Sequence, residues 1–177
     1  MIKKQLILIL GGVRSGKSSY AQQLAGGLGN RILFLATAEA GDEEMKLRIA
    51  RHKASRPGSW RTVEEPLDIG GALRKEAAHA DAVIIDCLTV WLSNMLMHHE
   101  KLSEEDILAK IDGVVGAYEQ DYATYIIVSG EVGMGIVPEH PLGRTFRDYL
   151  GLVNQRLAGK ADRVVLMVAG IPVDLKK

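Results

Sequence analysis

Leu10-Gly11-Gly12-Val13-Arg14-Ser15-Gly16-Lys17-Ser18-Ser19 is the stretch on which the reading of this chain turns. Gly11, Gly16, Lys17 and Ser18 fill the pattern G-x-x-x-x-G-K-[ST]. The apolar run Leu6-Ile7-Leu8-Ile9-Leu10 leads into it, as a strand buried on both faces of a parallel sheet would. Helix-forming residues from Ser18 to Leu28 lead out of it. Strand, glycine loop and helix start thus come in the order a phosphate cradle needs. Glycine lets the backbone approach an anion closely, and the helix start supplies free N–H groups and a positive dipole end. Lys17 is placed to reach the β- and γ-phosphates, and the Ser18 hydroxyl to join a Mg²⁺ shell. Nucleoside triphosphate binding is the expectation.

The 177 residues suffice for one well-buried core, so a single domain over 1–177 is expected. The 22 basic and 22 acidic side chains balance, which gives no electrostatic footprint for nucleic acid or an acidic membrane. One cysteine, Cys87, excludes an internal disulfide framework and suits a reducing, cytoplasmic setting. Neither a secretory leader nor a run of about 20 apolar residues is visible, so no membrane span is expected.

Further strands are expected over 31–36, 60–65, 82–86, 124–129, 162–169 and 171–175. Helices are expected over 42–53, 67–78, 88–99, from Ser103 onward, and over 141–158. This alternation defines an α/β fold with a mostly parallel sheet flanked by helices, of the P-loop NTPase type. In such sheets ligands sit beyond the carboxyl ends of the strands. Thr37, just past the second strand, falls on that edge. Ala82-Val83-Ile84-Ile85-Asp86 is an apolar strand ending in an acid, which can hold Mg²⁺. Cys87 is expected in the core. His98-His99 points to two helix faces and reads as solvated surface rather than a metal pair. The loop from Gly130 to Pro138 is long and glycine-rich, and it too follows a strand's carboxyl end.

Around His52 lie Arg48, Arg51, Lys53, Arg56 and Arg61. From composition two readings stand: a solvated charged face, or a second phosphate-facing site.

Several segments together resemble the bifunctional adenosylcobinamide kinase/adenosylcobinamide-phosphate guanylyltransferases. They are Gly11 to Ser18, Asp42-Glu-Glu-Met, Arg48-Ile-Ala-Arg-His-Lys, Asp86-Cys-Leu-Thr, Glu131-Val-Gly-Met-Gly-Ile-Val-Pro and Phe146-Arg-Asp. The resemblance implies a RecA-like sheet, a homotrimer and two activities. Adenosylcobinamide is phosphorylated from ATP or GTP; GMP from GTP is then joined to adenosylcobinamide phosphate. It also implies that His52 carries GMP covalently. The family often has two adjacent histidines here, whereas this chain has Arg51-His52, so only His52 can serve. Neighbouring cations would favour a neutral imidazole and stabilise charge on phosphorus oxygens. Carried over residue by residue, the nucleotide contacts are Gly11, Gly12, Val13, Arg14, Ser15, Gly16, Lys17, Ser18, Ala36, Thr37, Ala38, Lys53, Ala54, Ser55, Arg56, Glu64 and Asp86. Catalysis falls to His52 and Lys17, and Mg²⁺ to Ser18 and Asp86. The rivals are a plain small-molecule kinase and a nucleotide-dependent regulatory module. The Asn-Lys-x-Asp guanine motif of switch GTPases is absent, which counts against the second.

Overall fold

The structure, a computed structural model, describes residues 3–39, 43, 53, 56–99 and 101–177. Seven strands form one sheet in the order β3-β2-β4-β5-β1-β6-β7. They are β1 (Leu6–Gly11), β2 (Ile32–Ala36), β3 (Arg61–Glu64), β4 (Ala82–Asp86), β5 (Thr124–Val128), β6 (Arg163–Val168) and β7 (Ile171–Lys176). Among the described residues the helices are α1 (Lys17–Gly26), α2 (Ile69–Glu76), α3 (Leu88–His98), α4 (Glu104–Gln120) and α5 (Pro141–Lys160). All pairings are parallel except β6 with β7. Most of the helix expected over 42–53 lies outside the described residues.

The uninterrupted apolar run of β1 has a direct structural reason. Leu6, Leu8 and Leu10 point into one core layer, with Trp91 of α3, Ile111 of α4 and Val153 of α5. Ile7 and Ile9 point into the other, with Ala21 and Ala25 of α1 and with Phe34, Ile84 and Ile126. A strand covered on both faces has no polar side to show. Only small residues of α1 are fully buried, which lets that helix lie close against the sheet.

Local chemistry sets the ends. Ser103 and Asp106 form a reciprocal capping box at the start of α4. Asp68 accepts from the Gly71 N–H and caps α2, which therefore begins two residues later than expected. Ala169 and Gly170, with φ of 50° and 83°, make the tight turn between β6 and β7. The exposed edge strand β7 carries Pro172 and Asp174; Asp174 pairs with Arg163 at 2.7 Å. No described helix is long and apolar enough to cross a membrane.

Candidate active site

The carboxyl ends of β1, β2, β4 and β5 open onto one cleft of about 550 Å³. The loop after β1 forms its floor. Gly11 has φ 148°, and a Cβ there would stand 2.5 Å from the Met167 carbonyl oxygen. Gly16 sits at φ 97° against Gly170, whose N–H donates to the Ser15 carbonyl at 3.0 Å. The β6–β7 turn thus buttresses the loop, a contact that no pattern within the loop announces. Gly16 offers α1 no side-chain cap, so the first-turn N–H groups remain free to face an anion.

Lys17 crosses the loop and donates to the Gly12 carbonyl at 2.6 Å. Partial burial pushes its pKa down; Cys87 and Asp86 pull the other way. Asp86 ends β4 and, with Ser18, lines the same cleft.

The opposite wall comes from the β2–β3 side. Arg56 lays its guanidinium 3.5 Å over the Phe34 ring. Its Nε and Nη1 are buried without a hydrogen-bond partner among the described residues. Burial lowers the Arg56 pKa first, and Asp86 and Glu64 oppose that shift. Lys53 pairs with Glu64, and both line the cleft.

Of the expected contacts, Gly11, Val13 to Ser18, Ala36, Ala38, Lys53, Arg56, Glu64 and Asp86 do line this one space. Gly12 is exposed and serves through its carbonyl. Thr37 is placed differently: it is fully buried behind the wall. Its hydroxyl donates to the Cys87 carbonyl at 2.7 Å and accepts from the Cys87 N–H at 2.9 Å, bracing the end of β4. His52, Ala54 and Ser55 lie outside the described residues. Cys87, expected in the core, packs against it but also reaches the cleft wall, and burial pushes its thiol pKa up. His98 meets Glu39 at 3.1 Å on the surface, in keeping with a solvated pair.

Sequence reasoning did not assign Thr89, Val90, Gly130, Glu131 or Val132, which complete the cleft. The odd composition of the Gly130–Pro138 loop was the available signal.

Fold and site together define a P-loop protein built on a RecA-like sheet. Two solved structures share that fold at 12% identity each: the RadB recombinase and a type III secretion system ATPase from pathogenic bacteria. The first has a TM-score of 0.52 and covers 92% of this chain and 73% of its own. The second has a TM-score of 0.58, covering 96% and 56%. Residues 7–175 match the family described as cobinamide kinase / cobinamide phosphate guanyltransferase, and the chain belongs to that family. It is 42% identical to the bifunctional adenosylcobalamin biosynthesis protein CobP of Pseudomonas aeruginosa, over 96% of each chain. It is 38% identical to the corresponding protein CobU of Escherichia coli, over 97% of this chain and 99% of that one. The chain is accordingly a bifunctional cobinamide kinase and cobinamide phosphate guanyltransferase of adenosylcobalamin biosynthesis.

Proposed function

We propose that the cleft holds a nucleoside triphosphate with its terminal phosphates on Gly11–Ser18, and that both reactions draw on this region through different residues. The observation that carries the reading is Arg56: two buried guanidinium nitrogens lack an acceptor among the described residues, in a cleft that also holds Lys17 and the α1 N-terminus. Leaving a buried donor unmade costs about 1–3 kcal/mol, and a phosphate oxygen supplies what is missing.

In the first reaction the acceptor is adenosylcobinamide and the donor is ATP or GTP. The acceptor hydroxyl oxygen bonds to the γ-phosphorus, and the bond to the bridging oxygen breaks. Lys17 and the free N–H groups of α1 stabilise the charge that builds on the phosphoryl oxygens. The Ser18 hydroxyl and the Asp86 carboxylate are hard oxygen donors on one cleft, a set that suits Mg²⁺, which takes few protein ligands beside phosphate and water. Bound there, Mg²⁺ would neutralise charge shared between the β- and γ-phosphates.

In the second reaction a ring nitrogen of His52 attacks the α-phosphorus of GTP and pyrophosphate leaves. The phosphate of adenosylcobinamide phosphate then takes GMP from the histidine, giving adenosyl-GDP-cobinamide. The positions of Lys53 and Arg56 on the cleft support cationic help at the phosphorus oxygens. A homotrimer is the state implied by the resemblance, and the single cysteine suits a cytoplasmic setting.

Incubation with Mg²⁺ and α-labelled GTP, followed by denaturation, tests the covalent step. Label on the protein that withstands alkali, yields to acid and is lost in His52→Ala is the expected result. Phosphorylation of adenosylcobinamide by an unlabelled wild type would leave a kinase whose guanylyl transfer bypasses His52.

A further inference from the structure

The described carboxylates of the cleft differ in what already engages them. Glu64 is paired with Lys53. Asp86 ends β4 among the groups that act on Lys17 and Arg56, and it belongs to the proposed Mg²⁺ set. Glu131 is different. Its Oε1 accepts from the Gly133 N–H at 2.7 Å, and Oε2 has no hydrogen-bond partner among the described residues.

Its backbone is fixed beside the phosphate loop. The Glu131 N–H donates to the Gly11 carbonyl at 3.1 Å. The preceding Gly130 is held from both sides: its N–H donates to Thr89 Oγ1 at 2.6 Å, and its carbonyl accepts from buried Asn154 at 2.9 Å. Arg147 then ties down the Gly133 carbonyl at 2.9 Å. Four anchors within four residues present one half-buried carboxylate to the cleft that also holds Lys17. Such a fixed group loses little freedom on meeting a substrate.

We propose that Glu131 is the general base of the kinase reaction, a role that rests on the cleft being the donor site. The acceptor hydroxyl meets Oε2. As its oxygen bonds to the γ-phosphorus, its proton passes to Glu131, and the bond to the bridging oxygen breaks. That electron pair stays on the departing nucleoside diphosphate. Glu131 afterwards returns the proton to solvent. Guanylyl transfer to a phosphate acceptor requires no such removal, because the attacking phosphate oxygen is already ionised. Glu131 therefore separates the two activities.

Glu131→Gln is the informative variant, since its amide oxygen can still accept from Gly133 while its basicity is gone. Three measurements are made on the full chain. They are phosphorylation of adenosylcobinamide, guanylyl transfer to separately prepared adenosylcobinamide phosphate, and KM for the donor triphosphate. The expected result is a kcat for phosphorylation lower by about 10²–10⁴-fold, the usual worth of a positioned base. Guanylyl transfer and donor KM should stay within about threefold, and Glu131→Asp should recover part of the lost kcat. A Gln variant retaining a third or more of wild-type kcat overturns the proposal. So does parallel loss of both activities with a raised donor KM, which would make Glu131 an anchor of the loop. A wild type unable to phosphorylate adenosylcobinamide would instead remove the reading of the site itself.

Discussion

The two walls of the cleft are built on different principles. The loop after β1 is made of main chain: glycines at positive φ, a carbonyl holding Lys17, and a turn between β6 and β7 pressed against Gly16. The wall on the β2–β3 side is made of side chains: Arg56 stacked on Phe34, Lys53 paired with Glu64, and Thr37 locked onto Cys87. A main-chain cradle recognises what all triphosphates share, since every peptide offers the same N–H. A side-chain wall can be changed residue by residue. The difference predicts that the loop's key side chain can be lost without harm to the fold, whereas the wall's hidden brace cannot.

Lys17→Ala should give the largest effect and the cleanest break between function and stability. Lys17 is half-buried and its pKa is pushed down, so its charge is held at a cost in the free protein. Phosphorylation of adenosylcobinamide should fall about 10²–10³-fold, the scale seen when one charge-stabilising donor is removed. The melting temperature should stay level or rise slightly. Steady-state kinetics beside calorimetry checks both; a large drop in melting temperature would show that the lysine is part of the scaffold.

Thr37→Val tests the other wall. Valine keeps the shape of the fully buried Thr37 and removes the hydroxyl, leaving the Cys87 N–H without its partner, while the Cys87 carbonyl keeps the Trp91 N–H at 3.1 Å. One such unmade bond costs about 1–3 kcal/mol, so denaturant unfolding should show about 2 kcal/mol of destabilisation. Because the braced peptide adjoins Asp86, nucleotide affinity should weaken as well, by less than the fall in phosphorylation expected of Lys17→Ala. Unchanged stability with lost affinity would make Thr37 a direct nucleotide contact, as the resemblance first implied.

This contrast also explains what was legible in the chain. Main-chain architecture follows from local patterns: the apolar run of β1, the glycine spacing and the acid closing β4 all marked their places. The order of strands and helices was legible for the same reason, since a strand buried on both faces is apolar throughout. Long-range side-chain relations have no local pattern. That Thr37 turns inward to Cys87, fifty residues on, depends on the pairing of β2 with β4. That Gly170 supports Ser15 depends on β6 lying beside β1. Glu131 stood in a loop marked as unusual, yet only the bond from its N–H to Gly11 places it at the phosphates.

The smallest expected effect lies at the other end of the sheet and serves as the control for both walls. Asp81, just ahead of β4, accepts from the Asn30 and Arg31 N–H groups and from the Arg31 guanidinium. These bonds, the guanidinium foremost, lower its pKa from 3.8 to about 2. A carboxylate whose folded pKa is depressed stabilises the fold above its unfolded value, and that contribution fades as pH falls through the folded one. Asp81→Asn should therefore melt below wild type at pH 7, with the gap closing between about pH 4 and pH 2. The pair is exposed, so salt should shrink the gap as well. Nucleotide affinity at pH 7 should not move, because the cleft opens at the carboxyl ends of the strands and Asp81 stands at the amino end. A shift in affinity would mean that the β2–β4 pairing transmits strain along its length, and the independence of the two walls would then fail.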